Sequence, residues 1–521
     1  MSEAAGALSA GVVSVGVVGA GTMGAGIAQI AAVAGRRVLL ADSVPGAAER
    51  AIDAIRERVK AQVAKGRSSV DPDSLLITAT SVDGLGECDV VVEAIVEDLA
   101  AKQALFAVLE NIVTADAILA SNTSSLSPTA IAAGLAHPGR VVGLHFFNPV
   151  PAMKLVEVIS GLDTSPAVAD AAAELAASWG KTVVRSTATP AFIVNRVARP
   201  FYAEAWRLLA EHATVPENID AVLTGAAGFR MGPFALMDLV GHDVNEAVTR
   251  SVWSAFGRDP RYTPSLAQRA LVEAGRLGRK TGRGVYADGK APAASPAPTA
   301  AVSPPAGVVF RGHSPLAPLL ARSGVAARTA VAAGGTLAGL PEGLAELPSG
   351  GLLAQCEGAT ATSLAAAFER PVIVIDRVLD PATATAIAVA PSDGCPAPVL
   401  DEAVALLQAG GLSVFVIDDV PGLIVTRTVS MLVNLAADAL AARVASADDI
   451  DTAMRLGVNY PLGPLTWGGR WGVRSVLTVL DSLENWYRDG HYRACSLLRR
   501  WSLSERTLPG QTLPPQAEND Q

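Results

Sequence analysis

Cysteine is scarce: Cys88, Cys356, Cys395 and Cys495 stand far apart in a chain of 521 residues. That excludes a disulfide framework and any Cys-x-x-Cys metal site, so no metal is expected. Basic blocks are absent too. With 41 Lys+Arg against 50 Asp+Glu the formal net charge is −9, which argues against nucleic acid as a partner. No apolar run approaches the ~20 residues that span a bilayer, so no membrane association is expected. Residues 12–18 do not read as a secretory leader, because Ser14 and Gly16 break the apolar stretch. A cytoplasmic protein with reduced thiols is the expectation, and its length implies several domains.

What is present begins at residue 13. The apolar strand Val13–Val18 runs into Gly19-Ala20-Gly21-Thr22-Met23-Gly24 and on into an Ala/Ile helix, and a second apolar stretch ends at Asp42. In this setting the glycines read as a dinucleotide turn. Gly19 allows the tight turn, Gly21 lets backbone approach a pyrophosphate, and Gly24 lets helix and strand pack closely. The helix N-terminus offers unpaired N–H groups to phosphate. Asp42 is placed to accept from a ribose 2′-OH and to repel a 2′-phosphate, which favours NAD over NADP, with Arg36 and Arg37 as the contrary signal and FAD as a lesser rival.

Strand-like and helical stretches alternate through residue 121, implying parallel pairing. Ser121-Asn122-Thr123-Ser124-Ser125 then follows a buried strand, where ligands bind in open parallel sheets. The next strand carries His145 between apolar neighbours, and Glu157 stands inside the apolar stretch after it. A buried carboxylate needs a partner, and His145 is the nearest titratable candidate. Such a pair acts as a general base with an orienting acid, which beside a nicotinamide means alcohol oxidation.

From Pro190 the texture becomes helical. Pro190, Ile193-Val194, Arg196, Ile219-Asp220 and Gly232-Pro233 recur 231 residues later as Pro421, Ile424-Val425, Arg427, Ile450-Asp451 and Gly463-Pro464. A constant offset implies a duplicated helical domain. Asn195 has become Thr426 in the second copy. The expected organisation is a Rossmann-like α/β NAD-binding domain over 1–187, an all-α domain over 188–287 and a Pro/Ala-rich linker over 288–306. A degenerate α/β segment follows over 307–417, without a glycine motif and without an equivalent of His145 or Glu157. The second all-α copy spans 418–505, and a disordered tail covers 506–521.

The glycine turn, Ser121–Leu126, Gly143–Pro151, Lys154–Val158 and Phe192–Arg196 together resemble the NAD-dependent 3-hydroxyacyl-CoA dehydrogenases. The resemblance implies His145 as catalytic base with Glu157 as its partner, and Ser124 and Asn195 as donors to the substrate oxygen. It places Asp42, Glu97, Lys102, Ser124, Asn148 and Lys280 near NAD, and Lys65 near CoA. It further implies (S)-3-hydroxyacyl-CoA as substrate and a helical domain that dimerises. The duplicated helical domain is similar to the long bacterial form associated with 3-hydroxyadipyl-CoA in phenylacetate breakdown, or with 3-hydroxybutanoyl-CoA in fatty acid β-oxidation. An intramolecular pseudo-dimer with one active site per chain, or a homodimer, is expected. The competing readings are a crystallin-like sugar-acid dehydrogenase and a non-catalytic NAD-sensing protein.

Overall fold

The computed structural model describes residues 13–330 and 340–504. Two compact units emerge: the residues up to Arg196 together with Ala439–Val458, and Val197–Asp438 together with the residues from Asn459 onward. Among the described residues no helix is long and apolar enough to cross a membrane.

The first unit is built on one eight-stranded sheet. Its strands are β1 (Ser14–Val18), β2 (Arg37–Ala41), β3 (Ile77–Thr80), β4 (Val90–Glu93), β5 (Ile118–Ser121), β6 (Val141–Phe146), β7 (Leu155–Ser160) and β8 (Thr182–Thr187). They lie in the order β3-β2-β1-β4-β5-β6-β7-β8. Pairing is parallel except between β6 and β7. Leu40 and Val92 feed one apolar cluster while Leu39 and Val91 feed another, because successive side chains point to opposite faces and both faces are covered. The covering helices include α1 (Thr22–Val33), α2 (Ala47–Ala64), α3 (Leu99–Ile112) and α4 (Pro166–Ser178). Strand order reverses at β1/β4, the place where open α/β sheets bind ligands beyond their carboxyl ends.

The second unit holds the first helical copy, with α5 (Arg199–Ala210), α6 (Pro216–Gly225), α7 (Pro233–Val240) and α8 (His242–Ala255). A seven-stranded sheet follows: β9 (Gly307–Arg311), β10 (Ala326–Ala330), β11 (Ala345–Glu346), β12 (Leu352–Gln355), β13 (Val372–Ile375), β14 (Ala386–Pro391) and β15 (Ser413–Val416), in the order β10-β9-β11-β12-β13-β14-β15. The second helical copy supplies α9 (Val425–Ala441), α10 (Ala447–Gly457), α11 (Pro464–Trp471) and α12 (Val473–Tyr487).

The repeat reaches further back than residue 190. Leu155 pairs with Thr182 and Ala386 with Ser413, each residue 231 positions after its counterpart, and the antiparallel β13/β14 register repeats β6/β7 in the same way. The motif Ile-Asp…Gly-Pro has a local cause. The Asp220 carboxylate accepts from the Phe234 and Ala235 N–H groups at the start of α7, both at 2.9 Å. Burial pushes that carboxyl up to about 6.

Two packing features cut across the expected organisation. The sequential domains 188–287 and 418–505 are not the compact units, because α10 of the second copy packs on β7 and β8 of the first sheet, while α6 of the first copy packs on β14 of the second. Backbone bonds accompany both exchanges: Thr187 N–H donates to Val444, and Leu379 N–H donates to Ala226. The 288–306 segment has no helix or strand, as a linker should, yet it is fastened. Ser295 N–H donates to Asn218, Ala297 N–H to Val414, and the Gln408 amide to the Ala297 and Pro298 carbonyls. The 506–521 tail lies outside the described residues.

Within the second unit the two helical copies meet at a buried ionic cluster. The Arg427 guanidinium on α9 donates to Glu204 and Glu211 and to the Tyr492 hydroxyl, and the His491 ring lies 2.7 Å from Glu204. Arg427 and Glu204 are fully buried. Burial alone would raise the Glu204 carboxyl, but the His491 ring and the Arg427 guanidinium hold it down at about 2. A charge in such a place is tolerable only while every partner remains. Arg427→Met should therefore cost about 3–5 kcal/mol, measured by denaturant unfolding. The Glu204 contribution is present above the ordinary glutamate pKa of ~4.3 and is lost as pH falls through about 2, so the wild-type advantage over Arg427→Met should shrink in acid.

Candidate active site

The chemistry-bearing residues of the first unit gather beyond the carboxyl ends of β1, β4, β5 and β6. At β1 the chain leaves the strand through Gly19, whose φ of +106° and approach to the Ala94 carbonyl leave no room for a Cβ. A Cβ on Gly24 would stand 1.8 Å from the Gly19 carbonyl, so the helix can follow the strand this tightly only with glycine. Gly21 faces open space, with nothing within 4 Å of a Cβ placed there. No side chain caps α1, so the N–H groups at Thr22 and Met23 face the opening with the positive end of the helix dipole. Asp42 follows β2, and its carboxylate accepts from the Ala20 and Val44 N–H groups at 2.7 and 2.8 Å. A glycine cradle with an uncapped helix and a fixed carboxylate at the next strand fits the pyrophosphate and ribose of NAD.

The serine-rich loop is held by two acids. Glu93, fully buried at the end of β4, accepts from the Lys102 ammonium at 2.5 Å, the Ser121 hydroxyl at 2.6 Å and the Ile95 N–H. Glu97 accepts from the Thr123 hydroxyl and from the Ser124 and Ser125 N–H groups at 2.7 to 2.9 Å, and Lys102 lies 3.3 Å away. Burial raises the Glu97 carboxyl, but these donors and the Lys102 charge outweigh it and leave it below the usual glutamate range. Lys102 is buried between the two acids, so in the structure it organises the loop that carries Ser124. Glu93 was missed as a site residue by sequence reasoning. The available signal was a carboxylate ending an apolar strand nine residues before a lysine on the following helix.

Asn122 ties this loop to the next strand, accepting from the Phe146 N–H at 2.9 Å. Beside Phe146 stands His145, 5% exposed, with its Nδ1 2.5 Å from Glu157 on the paired strand β7. The rings of Phe147 and Phe192 flank the imidazole. Glu157 is fully buried, and its second oxygen accepts from the Ile193 and Val194 N–H groups at 3.1 Å. These bonds follow a turn in which Ala191 and Phe192 both hold positive φ, and they lead directly into Asn195. Asn148 lies exposed after β6, ahead of a cis proline bond.

Most of the expected residues therefore fall on one sheet edge: Gly19, Gly21, Thr22, Met23, Gly24, Asp42, Glu97, Lys102, Ser124, His145, Asn148, Glu157 and Asn195 all belong to the first unit. Lys65 stands exposed at the end of α2, outside the hydrogen-bonded cluster. Lys280 lies in the second unit, 2.6 Å from Asp243.

The second sheet carries a counterpart that sequence reading denied. Asp376 lies 231 residues after His145, just past β13, and Ala388 lies 231 after Glu157. The Asp376 carboxylate accepts from the Ile424, Val425 and Thr426 N–H groups and from the Thr426 hydroxyl. The imidazole is indeed missing there, but the acid that anchors the helix start survives, moved from one strand to its neighbour.

Comparison with known proteins agrees with this geometry. The chain matches the family model of the 3-hydroxyacyl-CoA dehydrogenase NAD binding domain over residues 14–189 and that of the 3-hydroxyacyl-CoA dehydrogenase C-terminal domain over 192–288 and 422–508. Residues 353–421 match the 3-hydroxybutyryl-CoA dehydrogenase reduced Rossmann-fold domain. The chain is 45% identical over 483 residues to the 3-hydroxyadipyl-CoA dehydrogenase of Escherichia coli, covering 92% of this chain and 95% of that one. A probable 3-hydroxybutyryl-CoA dehydrogenase of Bacillus subtilis is 42% identical over 50% of this chain and 92% of its own. The crystal structure of a 3-hydroxybutyryl-CoA dehydrogenase from Escherichia coli superposes with a TM-score of 0.83 at 43% identity, over 95% of this chain and 99% of that one. Family models spanning both copies and a relative matched along nearly its whole length lead to one conclusion: the chain belongs to the NAD-dependent 3-hydroxyacyl-CoA dehydrogenase family.

Proposed function

We propose that the protein catalyses the reversible oxidation of (S)-3-hydroxyacyl-CoA to 3-oxoacyl-CoA, with 3-hydroxybutanoyl-CoA or 3-hydroxyadipyl-CoA as substrate. The observation that carries the reading is the buried His145–Glu157 pair at the mouth of a dinucleotide fold. Glu157 takes the Nδ1 hydrogen, which leaves Nε2 as the basic nitrogen for the 3-hydroxyl proton. As the imidazole gains that proton, the adjacent carboxylate stabilises its charge in a site closed to water. NAD, held by the Gly19–Gly24 turn and Asp42, would supply the acceptor for the hydride of the substrate carbon. Ser124 and Asn195 donate to the substrate oxygen, and Glu97 with Lys102 keeps the Ser124 loop in place. Asp42 selects NAD by accepting from the adenosine ribose, Asn148 and Lys280 support the cofactor, and Lys65 meets the CoA phosphates.

The exchange of α6 and α10 between the copies supports a pseudo-dimer within one chain. Only the first copy carries an imidazole at the site, so one catalytic centre per chain follows. Four unpaired, scattered cysteines suit a reducing cytoplasm.

His145→Ala should lower kcat by about 10²- to 10⁴-fold, with NAD affinity unchanged, when NADH oxidation is followed with acetoacetyl-CoA. Turnover surviving in that variant would remove the imidazole from the reaction. Titration with NAD should saturate at one equivalent per chain; two equivalents would contradict the single centre. Finally, kcat/KM for 3-hydroxybutanoyl-CoA and 3-hydroxyadipyl-CoA should each exceed that for a free sugar acid by a factor on the order of 10³, and the reverse ranking would favour a sugar-acid enzyme.

A further inference from the structure

The last turn of α10 belongs to the second helical copy, yet it lies against the elements that carry the first copy's chemistry. Gly457 ends that helix. A Cβ placed on it would stand 2.8 Å from Leu155 Cδ2 and 2.9 Å from Val194 Cγ2, too close for any carbon contact. Leu155 begins β7, two residues before Glu157. Val194 directly precedes Asn195, and its N–H is one of the two that the Glu157 carboxylate holds.

The two neighbours differ in how they could yield. The end of a leucine side chain can swing, but Val194 is β-branched, starts a helical turn and is fixed through its backbone to a buried acid. Pressure at Gly457 therefore passes to the Val194 backbone, and from there to Asn195 on one side and to the Glu157 carboxylate on the other. The second copy thus reaches the residues beside the first site through this close contact.

We infer that the second helical copy is a working part of the active site: through Gly457 it seats Val194 and so positions Asn195 and Glu157. Gly457 is a positioning residue, since it touches neither substrate nor cofactor. The role rests on the functions proposed above for His145 and Asn195. The molecule also supplies its own control. At the matching helix end in the second unit, a Cβ on Gly225 would meet Ala386 Cβ at 2.6 Å and Thr385 Oγ1 at 2.9 Å, on a strand with alanine where Glu157 would stand. Gly225 is the more crowded of the two, since a Cβ there also meets the Ala386 backbone nitrogen at 3.2 Å, and only Gly457 adjoins a residue whose N–H the Glu157 carboxylate holds.

The experiment compares Gly457→Ala with Gly225→Ala in the full chain, measuring thermal midpoint, NAD binding by fluorescence and steady-state kinetics with acetoacetyl-CoA. Gly457→Ala should lose about 10- to 100-fold in kcat while NAD affinity holds, and Gly225→Ala should keep kcat within twofold at an equal or larger loss of thermal midpoint. Adding Val194→Ala to Gly457→Ala should restore most of the lost kcat by opening the contact. Should Gly457→Ala not fold, Val194→Leu crowds the same contact from the other side and should show the same selective loss. Equal kcat losses in the two glycine variants, wild-type kcat in Gly457→Ala, or no recovery with Val194→Ala would each overturn the inference. His145→Ala run in parallel separates the two claims: if it kept its activity, the site assignment itself would fail, whatever the glycine variants did.

Discussion

One carboxylate governs the end of the first sheet where His145 and Asn195 stand. Glu157 is fully buried, and a buried carboxylate is tolerable only when its oxygens are occupied by donors. One oxygen takes the imidazole of His145, and the other takes two backbone N–H groups at the start of the helix that carries Asn195. The β6/β7 register must place His145 opposite Glu157, because a slip by one residue would put the two side chains on opposite faces of the sheet. The turn at Ala191 and Phe192 must hold its unusual backbone so that Ile193 and Val194 point inward. The His145 imidazole and the helical turn that carries Asn195 thereby share one anchor.

The second copy shows what survives when chemistry is lost. Strand register and helix start are retained, and so is the need for an acid at the helix start. Asp376 supplies it from the position of the imidazole, and its oxygens are filled by four N–H groups, those of Arg377, Ile424, Val425 and Thr426, and by the Thr426 hydroxyl. Thr426 stands where the first copy has Asn195. Thr426 is turned inward there as an internal cap, its hydroxyl donating to Asp376. The duplicated α/β segment is therefore a scaffold whose polar demands are met internally. Its helical partner also packs across, so that α10 lies on the first sheet while α6 lies on the second. Neither copy buries its own sheet unaided.

Much of this was written in the chain. The glycine turn needs its strand, its helix and Asp42 in fixed sequence order, and short-range sterics enforce each of them, so the dinucleotide fold was legible from residues 13–42 alone. The His145–Glu157 pair was legible as well, because two polar residues in apolar strands need each other. The 231-residue offset revealed the duplication, and the Ile-Asp and Gly-Pro positions recur because an aspartate must cap the next helix.

Sequence could not say which copy's helix covers which sheet. That choice depends on surfaces more than two hundred residues apart, and the apolar faces of α6 and α10 are consistent with either partner. Nor could local pattern show that Lys102 is enclosed between Glu93 and Glu97, since burial of an ammonium group depends on strands that meet only after the sheet has formed. Composition and spacing determined the cofactor fold, the His145–Glu157 pair and the repeat, all of them products of local backbone geometry and the cost of lone buried charge. Packing between distant segments decided the exchange of helices, the fastening of the 288–306 segment and the contact of Gly457 with Val194, because only the folded chain brings those surfaces together.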